Sequence, residues 1–329
     1  MRWARWLMVV LVAGCGGDSP GGADGGAADA EVGAGDRWEA LPAVSTGAIQ
    51  ETAVVALGTD VYVIGGFRGF SVVDQVLVLD TVGRGWRQAA PLPVEVHHAN
   101  AAVVGGKIYV LGALQGVGFV PIGNVYEYDP AEDEWIAKAS MPAGAERGSA
   151  FVGVVDGVIY VAGGMTPNGS VDLVSAYDPV GDMWTHPLAP LPVARDHGVG
   201  AAVDGALYAI GGRESSITAL VGRVDRYDPV ANEWTDRAPM ITARGGTAAG
   251  VIDGAILVVG GEGNPEVSSG VFAQNEAYDV SGDRWDSLAP MTTPRHGMGA
   301  AVVDGVLYVP GGATTQGFGA TDVSEVYYP

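Results

Sequence analysis

Beyond residue 37 the apolar positions come in short runs, and most of them are closed by glycine. The clearest read VYVIGG, VIYVAGG, ALYAIGG, AILVVGG and VLYVPGG. None has the spacing of an amphipathic helix, and each is the length of one strand. Stretches of small residues precede them (SAFVGVV, GVGAAV, GMGAAVV), joined by a turn that is Asp-Gly at Asp156-Gly157, Asp204-Gly205, Asp253-Gly254 and Asp304-Gly305. Asp-Gly accepts the positive φ of a two-residue hairpin, so these two runs are antiparallel neighbours. After a variable loop comes a third run closing on Tyr-Asp-Pro at Tyr128, Tyr177 and Tyr227. A polar run around a tryptophan follows, with Ala-Pro-Leu or Ala-Pro-Met after it.

These tryptophans stand at 38, 86, 135, 184, 234 and 285, so the whole series recurs roughly every fifty residues. Each repeat predicts a four-stranded sheet with two apolar faces, which is not stable alone in water. Sheets set flank to flank around an axis bury both faces. The first strand then crowds the axis, which explains its Gly and Ala, and the outer strand has room for Trp. The chain enters on a lone Trp run (38–42) and leaves on a third run (323–329) with no Trp run after it. The two remnants make one sheet. The sequence therefore predicts an all-β, six-bladed propeller over 37–329, closed by the N-terminal strand completing the C-terminal blade, with no free edge.

The paired glycines, the Tyr-Asp-Pro, the spaced Trp and the period resemble the kelch repeat. The second unit departs with Gly112-Ala113, the first with Leu79-Asp80-Thr81, and the fifth with Leu257 where the others carry Tyr. The resemblance implies that loops after the paired glycines share one binding face with the loops that enter the inner strands.

Composition narrows the partners. The net charge is −21 and there are only two lysines, Lys107 and Lys138, so no basic face exists for nucleic acid. The single cysteine, Cys15, allows no disulfide within the chain, and stability has to come from packing. Arg2 and Arg5 precede an apolar stretch too short to span a bilayer, which ends in LVAGC. That run resembles a bacterial lipobox. It implies a signal peptide at 1–14, lipid on Cys15 and a flexible Gly/Ala/Asp linker over 15–36. Gly16 after the cysteine, where enteric-type lipoproteins retained in the inner membrane carry Asp, implies an outer-membrane address. Membrane contact is then through lipid alone, and the body is expected to be a monomer.

Candidate site residues fall in two groups. Arg147, Arg195, Arg244 and Arg295 occupy one equivalent position in four repeats, where the first two repeats have Ile49 and Val96. They read either as a cationic ring at the channel mouth or as structural ion pairs. The second reading is favoured within the chain itself. Asp225, Glu276 and Glu325 recur where the Arg is present, and Leu77 and Tyr126 where it is absent. The third repeat has Ser175, which leaves Arg147 as the arginine expected to be free for a ligand. His97, His98, His197 and His296 lie at the entrance to inner strands and read as polar lining of the channel mouth. They lack a local metal-ligand spacing, so no metal is expected.

The second group is aromatic. Phe67, Phe70, Phe119, Phe272 and Phe318 follow the paired-glycine strands, and only Phe151 falls in a strand. They read equally as an exposed rim for a partner or as a small core under the loops. The longest of these loops, Gly261 to Gln274, is the best single candidate for a partner-specific contact. Acidic tips such as Glu132-Asp133-Glu134 read as solvated hairpin turns rather than calcium sites.

No nucleophile elbow, phosphate loop or zinc-protease motif is present, and with Cys15 as the anchor no Tyr–Cys copper cofactor can form. No cofactor is expected. The function expected is a non-catalytic scaffold, tethered to the envelope, that receives a protein or glycan on its loop face. The alternative is an exported epimerase or mutarotase of an acidic sugar such as sialic acid, as some kelch-type propellers are.

Overall fold

A computed structural model describes residues 35–329. The expected signal, Cys15 and the linker up to residue 34 lie outside the described residues. Within 35–329 the chain forms six four-stranded antiparallel sheets. Their inner strands are Ala53–Leu57, Ala101–Val104, Phe151–Val155, Val199–Val203, Ala248–Ile252 and Ala301–Val303. Each neighbours the next, and the last returns to the first. We number the blades 1 to 6 in that order. Small residues are required at the axis: a Cβ added to Gly200 would lie 2.2 Å from the Val152 nitrogen of the preceding blade.

Blade 6 is completed as expected. Arg37–Leu41 pairs antiparallel with Ser324–Tyr328, placing Trp38 opposite Tyr327. The ring begins one residue earlier than the sequence indicates. Asp36, assigned to the linker, accepts hydrogen bonds from the Ala289 nitrogen at 2.6 Å and the Tyr327 hydroxyl at 2.8 Å.

Asp36 repeats a staple that recurs around the ring. Asp133, Asp182, Asn232 and Asp283 each accept from the blade's own Tyr hydroxyl (Tyr128, Tyr177, Tyr227, Tyr278), at 2.6 Å in every case. Each also accepts from an alanine nitrogen of the preceding blade: Ala90, Ala139, Ala189 and Ala238. The carbonyl of that same alanine accepts from the next blade's indole, as in Trp135 to Ala90 and Trp285 to Ala238, both 2.9 Å. The Ala of Ala-Pro is therefore tied through both its backbone groups. Asp133 stands exposed in its hairpin turn, as expected, and serves as a staple as well.

Blade 1 has Leu79 and Arg84 where the others have Tyr and Asx. The reason lies in its neighbour: the residue of blade 6 that receives the Trp86 indole is Pro42, which has no N–H to offer.

The loops after the second strands and the connections into the inner strands open on one face. The Asp-Gly and Tyr-Asp-Pro turns lie on the other. Blade 2 differs most: its second and third strands, Lys107–Gln115 and Val120–Asp129, extend into that loop face with a register shift between Ile122 and Val125.

Candidate functional site

The residue that leads into each inner strand is turned toward the axis by a left-handed backbone. These are Glu51 (φ 55°), His98 (50°), Ser149 (54°), His197 (55°), Gly246 (66°) and Gly297 (59°). Each amide donates to the carbonyl of its counterpart in the preceding blade. His98 donates to Glu51, Ser149 to His98, His197 to Ser149, Gly246 to His197, Gly297 to Gly246, and Glu51 to Gly297 at 2.5 Å. Six hydrogen bonds thus close a circle around the axis. Four of its members are not glycine, although this conformation costs a side chain on the order of 1 kcal/mol. Such strain persists where surrounding structure holds it, and here it delivers Glu51, His98 and His197 to one point.

His98 Nε2 lies 3.0 Å from Glu51 Oε2, and the His98 and His197 rings are 4.8 Å apart. His97 Nε2 donates to the Gly116 carbonyl at 2.9 Å, so its Nδ1 is the acceptor at 2.5 Å from His98 Nδ1. His197 Nδ1 is bonded to Asp196, and its Nε2 accepts from Arg213 at 2.8 Å. Arg213 also reaches Asp196 at 3.2 Å and Glu262 at 2.6 Å. His296 Nδ1 stands between Glu262 at 3.4 Å and Glu51 at 3.6 Å. All four histidines are buried. Glu51, His98 and His197 line both a cavity of about 120 Å³ beside the inner strands and one of about 90 Å³ toward the loops, walled by Phe67, Phe119 and Phe318.

Burial opposes charge on Glu51, but attraction and a hydrogen bond from His98, with His296 and His197 nearby, hold its carboxyl well below the usual range. Burial and neighbouring His98 push His97 down to about 3. Burial and Arg213 lower His197. A His97 in the unfolded chain takes its proton near 6.5, so between about pH 6.5 and 3 the unfolded state binds more protons. Stability should therefore fall as pH drops through that window, by up to about 1.4 kcal/mol per unit from this group. Glu51, ionised in the fold below its ordinary range, adds in the same direction. Urea midpoints measured from pH 7 to pH 4 check this, and His97→Gln should flatten the slope.

A family model of the kelch motif matches residues 51–93, 146–186, 194–241 and 243–292, more than half the chain. The chain belongs to the kelch-repeat family. It is 34% identical over 313 residues to Kelch-like protein terF of Aspergillus terreus, covering 89% of this chain and 68% of that protein. It is 28% identical to Kelch-like protein 36 of Rattus norvegicus over 79% of this chain, but spans only 43% of that relative. The solved structure titled "Structure of YjhT" superposes with a TM-score of 0.71 at 18% identity, over 86% of this chain and 95% of that one, a likeness of fold. The kelch matches fall on blades 1, 3, 4 and 5. Blade 2, with Gly112-Ala113 and its extended hairpin, is not among them.

Within this kelch ring the four arginines lie inside the blades, not at the mouth. Arg195, Arg244 and Arg295 meet Asp225, Glu276 and Glu325 at 2.6, 2.7 and 2.8 Å. Arg147, expected to be free for a ligand, is not. It is fully buried and donates to the carbonyls of Ala145, Val161 and Gly163 and to Ser175. Three backbone carbonyls and a hydroxyl thus surround the guanidinium, which is why it persists there without an acid. Burial pushes it down to about 10.

The aromatic group divides. Phe67 and Phe272 are buried, so they are core and not rim. Phe70 and Phe318 remain exposed and stack at 5.0 Å, with Phe318 edge-on to Phe67 at 5.5 Å. Phe119 packs on Phe67 and His97.

Sequence reasoning missed Glu51, Asp196, Arg213 and Glu262. The signal was available: Arg213 and Glu262 directly follow the paired glycines, where other blades carry Phe67, Leu114, Met165 and Ala313. Glu51 holds the position of His98 and His197 in its own repeat.

Proposed function

We propose that this kelch propeller is a non-catalytic scaffold that receives a protein partner on its loop face, across blades 6, 1 and 2. The observation that carries it is an apolar rim. Phe70 is 73% exposed and rests on Phe318, and Val117 and Val120 stand 65% and 56% exposed on the blade 2 hairpin. Exposed rings and branched aliphatics together fit the apolar side chains of a protein. A glycan would use the rings but leave the valines unmatched. An acidic sugar would meet Glu51, Asp196 and Glu262 against the single Arg213, which disfavours that substrate class. The proposal includes attachment to the cell envelope through lipid on Cys15.

A photo-crosslinking residue at position 70 tests it, with one at Val230 on the opposite face as control. Val230 is 97% exposed, so reach is equal or better there. Cells expressing the first should yield a discrete protein adduct that Phe318→Asp abolishes. Equal labelling from both positions, or adducts indifferent to Phe318, would count against the loop face.

A further inference from the structure

We propose that Glu51, His98 and His197 form a site for one divalent first-row transition ion, with Zn²⁺ as the probe, where the two axial cavities share these three residues. One ligand atom from each lies within 4.8 Å of the others. A tetrahedral ion bound at about 2.0–2.2 Å holds its donors roughly 3.3 Å apart. Glu51 Oε2 and His98 Nε2 are already 3.0 Å apart, so an approach by His197 completes the set.

Both imidazoles are oriented from behind. His197 gives Nδ1–H to Asp196, and His98 gives Nδ1–H to His97, whose Nε2 is fixed on the Gly116 carbonyl. Outer partners of this kind set the tautomer that aims the Nε2 lone pair inward. His98 Nε2 now faces Glu51 Oε2 at 3.0 Å, and the Arg213 guanidinium donates to His197 Nε2 at 2.8 Å. The ion takes the place of the Arg213 contact and sits between His98 and Glu51.

Charge balance points the same way. Glu51, Asp196 and Glu262 are enclosed with Arg213 as the one permanent cation among them. Buried carboxylates have to be compensated. One divalent ion supplies what Arg213 does not. Three protein ligands leave the fourth position to water, for which the adjoining cavity of about 90 Å³ has room. Two imidazoles and one carboxylate suit Zn²⁺ and its neighbours. Ca²⁺ and Mg²⁺ require more oxygen ligands than the cluster offers.

The test is calorimetric titration of Zn²⁺ into chelator-treated, untagged chain carrying Cys15→Ser, which removes the lone thiol. At pH 7.5 one ion per chain should bind, with no response to Ca²⁺ or Mg²⁺. His197→Gln should weaken binding by about 10–100-fold. Arg213→Gln should strengthen it, because the competing cation is gone, and this gain cannot be produced by a misfolded chain. Absence of stoichiometric Zn²⁺ binding in the chain with its cluster intact overturns the proposal. So does binding that His197→Gln and Arg213→Gln both leave unchanged.

Discussion

Arg244→Met is expected to destabilise the propeller by about 3–5 kcal/mol, and Glu276→Ser by only about 1–2. The asymmetry follows from what each group satisfies. Arg244 donates to the carbonyls of Thr242, Val258 and Gly260 as well as to Glu276. Its loss takes a donor from all three carbonyls and leaves a carboxylate buried without its cation. Loss of the acid leaves a guanidinium that still has those carbonyls. Blade 3 already lives in that state: Arg147 has Ser175 where blade 5 has Glu276, and it is no less buried. Glu276→Ser copies a solution the protein uses. Urea unfolding of both variants at pH 7 decides the matter, and equal losses would mean that the ion pair, not the arginine, is the keystone.

Removing residues 35–42 is expected to lower the melting temperature by on the order of 10–20 °C. The deleted segment forms the whole outer strand of blade 6 and its register with Ser324–Tyr328. With it go the Trp38 indole bond to the Ala289 carbonyl, the Trp38–Tyr327 ring contact at 5.2 Å and both bonds to Asp36. Several hydrogen bonds at about 1 kcal/mol each, and burial of Trp38 and Leu41 at about 1.5–3 kcal/mol each, sum to roughly 5–10 kcal/mol. For a chain of this size that corresponds to the stated shift. The deletion also bares the Ser324–Tyr328 edge, so the truncated chain should aggregate on heating. Scanning calorimetry with light scattering reads both effects.

The architecture was legible in the sequence because the repeat is its own alignment. Six tryptophans in step located the outer strands, and counting remnants at the two ends gave the closure. The arginine–acid pairing was legible for the same reason: Arg195, Arg244 and Arg295 bring their acids with them, and Ile49 and Val96 do not. Arg147 departs from this pattern: Ser175 in place of a carboxylate does not leave the guanidinium without partners, because it is held by backbone carbonyls that no side-chain pattern displays.

The site was less legible. Residues at the axis come from different blades, so Glu51, His98 and His197 share no local spacing, and only repeat position unites them. The histidines are expected as polar lining of the channel mouth, whereas left-handed backbone at His98 and His197 turns those two inward into a buried network that also holds His97 and His296. The phenylalanines, taken together from their loop positions, sort by depth. Phe67 is fully buried and Phe70, three residues later, stands at 73% exposure. Hairpin geometry makes that distinction, and composition carries no trace of it.

The central claim is a closed circle at the axis, and the amide of Glu51 reports on it most directly, since its bond to the Gly297 carbonyl joins the first blade to the last. Hydrogen exchange followed by NMR should show this amide, with those of His98, Ser149, His197, Gly246 and Gly297, protected to the level of global unfolding. Exchange of the Glu51 amide at the rate of an open loop, with the other five still protected, would show that the first and last blades do not meet.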